Sequence, residues 1–147
     1  MRIAIGGDHA GYSLKVILLD YLRGRGHEVT DCGSYTPDPV DFPDITQSVC
    51  AEILENRCER GLLVCGTGVG ACIAANKVKR IRAAVCHDVY SAHQCVEHDD
   101  VNVICFGAQI IGPTIAQELI EHFLSARHST SEEFRRRVEK LRLMEES

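Results

Sequence analysis

Short apolar runs alternate along this chain with longer segments in which apolar positions recur every three or four residues. The runs Arg2–Gly6, His27–Asp31, Gly61–Cys65, Arg82–Cys86 and Val101–Phe106 read as strands. Between them, Ser13–Arg23, Ile45–Asn56, Val69–Lys77, Val89–Val96 and Pro113–Ala126 read as helices. In the first of these, Leu14, Ile17, Leu18, Tyr21 and Leu22 keep the helical period. Strand cores such as Leu62–Val64 are almost wholly apolar, which suits a sheet covered on both faces. Alternating elements of this kind predict parallel strands joined by right-handed helical crossovers. The expected fold is a three-layer α/β/α sandwich around a five-stranded, parallel, Rossmann-like sheet, one domain over residues 1–147. Gly33–Asp44, with Pro37, Pro39 and Pro43, reads as a loop. The tail, residues 127–147, is charged yet periodic, with Phe134, Val138, Leu141, Leu143 and Met144. It predicts an extra C-terminal helix with one apolar face, docked on a partner subunit or on the body.

Composition narrows the function classes. The 147 residues suit one domain with a sizeable core. A net charge of −5 argues against general nucleic-acid binding, although the C-terminal end is locally basic. No apolar stretch is long enough to span a bilayer. The N-terminal residues run straight into a strand pattern without signal-peptide features, so a cytoplasmic location is expected. The eight cysteines then read as reduced thiols rather than a disulfide framework. His87, His93, Cys95 and His98 match no paired zinc-knuckle spacing, and no metal is expected.

In a sheet of this type ligands bind beyond the carboxyl ends of the strands, and reactive residue types collect there. The first strand runs into Gly7-Asp8-His9-Ala10-Gly11, the third into Cys65-Gly66-Thr67-Gly68-Val69-Gly70, the fourth into Cys86-His87-Asp88. The loop opened by Cys65 is the most informative. Its glycines allow close backbone approach, and the helix start after it offers unpaired N–H groups to an anion. The thiol adds a base or nucleophile. Ala71-Cys72 follow the last glycine, so the loop is not a P-loop, and its glycine spacing is not the dinucleotide fingerprint. On pattern alone a plain strand–turn–helix packing site fits equally well, and Asp8 fits a helix N-cap.

The chain resembles the family of type B ribose-5-phosphate isomerases and galactose-6-phosphate isomerases. The resemblance is carried by Gly7-Asp8-His9-Ala10-Gly11-Tyr12, Asp41-Phe42-Pro43-Asp44, Cys65 to Gly70 with Ile73-Ala74-Ala75-Asn76-Lys77, Ile81-Arg82-Ala83-Ala84 and His98-Asp99-Asp100-Val101-Asn102-Val103. It is closest to the ribose-phosphate branch, which places a cysteine at the position of Cys65. The resemblance implies aldose–ketose isomerisation without metal or other cofactor. It implies Cys65 as the base between C1 and C2, and Thr67 with the N–H groups of Gly66, Gly68, Val69 and Gly70 as the anion hole. It further implies His98 as the acid/base that opens the sugar ring, Asp8 on the sugar hydroxyls and His9 on the phosphate. A homodimer or homotetramer with active sites shared between subunits is implied as well, with no nucleic-acid or membrane partner.

The chain departs from the pattern mainly in the phosphate half. Gln109 stands where the family usually has arginine, and Glu133 stands where the tail usually supplies another. Arg137 matches the second tail arginine, with Arg136, Arg135 or Arg127 as neighbouring substitutes. Asp99 follows His98 where asparagine is usual, and Phe42 replaces a tyrosine. A guanidinium fork is the strong way to hold a phosphate, and glutamine is a poor replacement. The first expectation is interconversion of ribose 5-phosphate and ribulose 5-phosphate. The alternatives are the same chemistry on allose 6-phosphate, galactose 6-phosphate, a tetrose phosphate or a free aldose, and a non-catalytic subunit of a paired isomerase.

Overall fold

The computed structural model describes residues 1–147. In chain order the elements are β1 (Arg2–Gly7), α1 (Tyr12–Gly24), β2 (Glu28–Asp31), α2 (Phe42–Leu54), β3 (Arg60–Cys65), α3 (Val69–Asn76), β4 (Ala83–Val85), α4 (Val89–Asp99), β5 (Val103–Gly107), α5 (Pro113–Ser125) and α6 (Glu132–Met144). The strands form one sheet in the order β2-β1-β3-β5-β4, with every pairing parallel. From β1 the chain first steps outward to β2, then returns across β1 to β3. The crevice between the carboxyl ends of β1 and β3 is therefore a switch point, where such sheets bind ligands.

Alternating strand residues supply two cores. Ile3, Ile5, Leu62, Val64, Ile104 and Phe106 pack beneath α1, α4 and α5. On the other face Ala4, Leu63, Cys65, Val103 and Cys105 pack beneath α2 and α3. This is the three-layer arrangement that the doubly apolar strands predict. Gly11 shows how tightly α1 seats on the sheet: a Cβ there would lie 2.0 Å from the Val64 carbonyl oxygen. Gly68, the N-cap of α3, has φ +81°, and a side chain there would press on the backbone of Phe106 and Gly107. Both glycines let backbone approach backbone next to the switch point.

Two helix boundaries differ notably from the sequence reading. Helix α2 starts at Phe42, inside the segment read as loop, because Pro43 occupies the first turn, where its missing N–H costs nothing. Helix α4 runs to Asp99 rather than Val96 and stops at Asp100, which is left-handed at φ +50°. Helix α6 lies against α4 of the same chain, and none of its residues is buried.

Candidate active site

Strand β3 ends at Cys65, and the chain turns through Gly66-Thr67-Gly68 into α3. The turn needs the left-handed Gly68, which swings the Gly68 N–H onto Cys65 Sγ at 3.1 Å. The thiol is 5% exposed, at the rim of the α2/α3 core. The Val69 N–H donates to Thr67 Oγ1 at 3.3 Å. Gly70 and Ala71 follow in the first turn of α3, where N–H groups have no intrahelical acceptor. The anion hole expected from Gly66, Gly68, Val69 and Gly70 is thus divided. The Gly68 N–H serves the sulfur and the Val69 N–H serves the Thr67 hydroxyl.

Across the crevice, Asp8 follows β1 and is 7% exposed. Its own N–H donates to the Val64 carbonyl at 3.2 Å, which ties it to the end of β3. Its Oδ1 accepts the Gly11 N–H at 3.0 Å, so one oxygen shapes the turn into α1. His9, next along, is exposed, and its Nδ1 accepts the Val40 N–H at 3.2 Å. After β5, the Gln109 N–H donates to the Gly66 carbonyl at 3.0 Å, and the Gln109 side-chain amide lies over Gly66. Asp8, His9, Cys65, Gly66, Thr67, Gly68, Val69, Gly70 and Gln109 therefore gather around one crevice.

His98, Asp99, Arg136 and Arg137 lie elsewhere. His98 occupies the last turn of α4, which feeds the amino end of β5. Cys65 pairs with Gly107 at the carboxyl end of β5, so the two are separated by the length of that strand, roughly 13 Å at about 3.3 Å per residue. The His98 ring stacks on Phe134 of α6 with centroids 4.0 Å apart. The Arg137 guanidinium sits over the same Phe134 ring at 5.6 Å. Arg136 is tied to Glu132 one turn back. Asp99 lines a concavity of about 310 Å³ beneath α6, with Ile81, Arg82, Leu141 and Met144. The second cluster is thus built at the opposite edge of the sheet.

Sequence reasoning left His87 without a role. It follows β4, and its Nε2 accepts the Gly107 N–H at 2.9 Å. Gly107 in turn packs against the Thr67 backbone, so His87 braces the Cys65–Gly70 loop. Burial holds its pKa below the usual imidazole value, against a smaller opposing pull from Asp88. The strand-end position was its only signal in the sequence. Two asparagines in the motifs act on structure instead. Asn76 brackets the N–H and carbonyl of Ala83 at 2.9 Å each, and Asn102 bonds the Arg82 N–H and the Arg80 carbonyl.

All eight cysteines are free thiols. Burial pushes Cys32 up to about 12 and Cys50 up to about 11, which leaves both inert near neutrality. Cys72 moves the other way, to about 7, chiefly through a hydrogen bond from Cys105. Its Sγ, however, faces the Ala83 carbonyl between α3 and β4, away from the crevice. His93 pairs with Glu97 and His98 stacks on Phe134, so the histidines and Cys95 do not converge as metal ligands.

Proteins of similar sequence and fold identify the family. Residues 3–141 match the family model described as Ribose/Galactose Isomerase. The chain is 41% identical to a Ribose-5-P isomerase B of Listeria innocua, over 99% of this chain and 96% of that protein. It is 45% identical to a D-erythrulose-4-phosphate isomerase of Pectobacterium atrosepticum, over 86% of this chain and 84% of that protein. Among solved structures, a Clostridium thermocellum Ribose-5-Phosphate Isomerase B superposes with a TM-score of 0.97 at 40% identity, covering 99% of this chain and 98% of that one. With both sequence and fold matched over nearly its full length, the chain belongs to the ribose/galactose isomerase family of sugar-phosphate isomerases.

Proposed function

We propose that this chain interconverts ribose 5-phosphate and ribulose 5-phosphate through a cis-enediolate. The observation that carries the reading is Cys65 Sγ, held by the Gly68 N–H at the mouth of a helix, at the strand end next to Asp8, whose N–H is bonded to the Val64 carbonyl. The Cys65 thiolate removes the proton from C2 of the open-chain aldose and returns it to C1, while a proton passes between the O1 and O2 oxygens. Charge builds on those oxygens as the enediolate forms. The free N–H groups at the start of α3 and the Thr67 hydroxyl are donors fixed in advance for that charge. Asp8 Oδ2, which the turn does not use, is the acceptor for the sugar hydroxyls. His9 and Gln109 flank the end where the phosphate sits.

Ring opening needs an acid/base group, and His98 lies too far from Cys65 in the same chain to act on the same sugar. We infer that a second copy supplies it, together with Asp99 and Arg137, so that each site spans two chains. Exposed apolar residues support this. Val69 and Ile73 are 52% and 56% exposed beside the crevice, and Leu141, Leu143 and Met144 are exposed on α6. A two-fold dimer that joined these surfaces would cover both and bring the half-sites together. Eight free thiols suit a reducing, cytoplasmic setting.

A second reading is the same chemistry on a tetrose phosphate. The 45% identity to a D-erythrulose-4-phosphate isomerase favours it. Purified protein should be assayed on ribose 5-phosphate, erythrulose 4-phosphate and free ribose. Highest kcat/KM on ribose 5-phosphate is the expected result. Highest kcat/KM on the tetrose phosphate replaces the first reading with the second, and equal turnover of free ribose removes the phosphate site.

A further inference from the structure

Lys15 is the largest polar side chain in the core, 1% exposed, and lies behind the crevice rather than in it. Its three ammonium hydrogens are all used. Nζ is 2.9 and 3.0 Å from the two carboxylate oxygens of Asp31 and 2.7 Å from the Ser34 carbonyl. The rings of Tyr12 and Tyr35 flank it at 5.5 and 5.7 Å. A buried ion pair of this kind is weak evidence for stability, because desolvation offsets the attraction. Its value lies in what it fixes.

Asp31 ends β2, and its Oδ1 also accepts the Gly33 N–H at 3.0 Å. Gly33 and Ser34 then bond to both sides of Gly7, at 2.7 and 2.6 Å. Lys15 therefore clamps the start of the 33–41 segment to the end of β1, directly beside Asp8 and His9. The segment crosses back over β1 and delivers the Val40 N–H to His9 Nδ1. In a neutral imidazole with Nδ1 accepting, Nε2 carries the proton. That tautomer makes Nε2 a hydrogen-bond donor, which a phosphate oxygen needs.

We infer that the Lys15–Asp31 pair is a positioning device for His9. By pinning the 33–41 segment it holds the Val40 N–H against Nδ1, and so keeps His9 Nε2 protonated and fixed for the phosphate of the substrate. The inference rests on the reading of His9 as a phosphate ligand given above. Lys15 and Asp31 touch neither substrate nor reacting atoms.

Val40→Pro removes the single N–H that reaches His9, at a half-buried loop position, while Val40→Ala keeps it. Lys15→Met with Asp31→Asn removes the charges together and leaves no buried carboxylate unpaired. Steady-state kinetics on the preferred sugar phosphate, with inorganic phosphate as competitive inhibitor, reads both. For Val40→Pro and the double variant, KM and the inhibition constant of inorganic phosphate should each rise about tenfold, with kcat within about twofold. Val40→Ala should match wild type. Adding Val40→Pro to His9→Ala should change nothing further, because the amide acts only through that ring. A fall in melting temperature with KM and phosphate inhibition unchanged would assign the pair a purely structural role and overturn the inference. If the double variant fails to fold, Asp31→Asn alone is measured in its place, with the same readouts of KM and phosphate inhibition. If His9→Ala itself leaves phosphate inhibition at the wild-type value, the reading of His9 is what fails. If His9→Ala weakens it but Val40→Pro does not, the positioning inference fails.

Discussion

At the scale of single residues the reaction depends on which thiol serves as the base. Two cysteines compete: Cys65 ends β3 with the Gly68 N–H on its sulfur, and Cys72, whose pKa is drawn down to about 7, faces the Ala83 carbonyl. Cys65→Ala should abolish isomerisation, while stability falls by no more than about 1–2 kcal/mol because little volume is lost. Cys72→Ala should keep most of the activity. Loss of substrate C2-proton exchange with solvent in the first variant only is the check, and retained exchange in Cys65→Ala would point to another base. His87 carries a pH dependence of its own. Burial depresses its folded pKa below the unfolded value of about 6.5. The folded state thus prefers the neutral ring that accepts the Gly107 N–H. That contribution is complete above the unfolded pKa and is lost as the pH falls through the lower folded value. Melting temperature should fall between pH 7 and 5 more steeply in wild type than in His87→Gln. Parallel pH profiles for the two proteins would remove His87 from this role.

At the scale of elements, much of the fold was legible because the strands are buried on both faces. Runs such as Leu62–Val64 carry no polar interruption, and α1 keeps its period from Leu14 to Leu22. What was not legible has local causes. Three prolines made residues 33–44 look wholly irregular, yet Pro43 suits the first turn of α2. The apolar period of α4 stops at Val96, so nothing in it marks the last turn that carries His98. The reactive types around the crevice were readable from strand ends. The Val40 N–H on His9 and the His87 brace were not, because they join segments far apart in the chain. The close packing of α1 on β3 gives a test at this scale. Gly11→Ala places a methyl against the Val64 carbonyl, and backbone cannot yield as a side chain would. It should destabilise the protein by about 3 kcal/mol in denaturant unfolding. An effect below about 1 kcal/mol would show that α1 shifts freely.

At the scale of the whole molecule, the division into two clusters is the main consequence of the topology. Residues that follow strands gather at the carboxyl edge, whereas His98 ends a helix that feeds a strand and must lie at the amino edge. The motif residues therefore do not form one site in one chain. The central claim is that a second copy unites them, and complementation tests it most directly. Cys65→Ala and His98→Asn are each prepared and shown to be inactive on ribose 5-phosphate. They are then mixed, dissociated and reassociated. In a hybrid dimer one site has lost both groups and the other holds an intact Cys65 from one chain and an intact His98 from the other. Random pairing should therefore restore about a quarter of wild-type activity. No recovery in mixtures shown to contain hybrid dimers would contradict the account, because it would mean that Cys65 and His98 act within one chain.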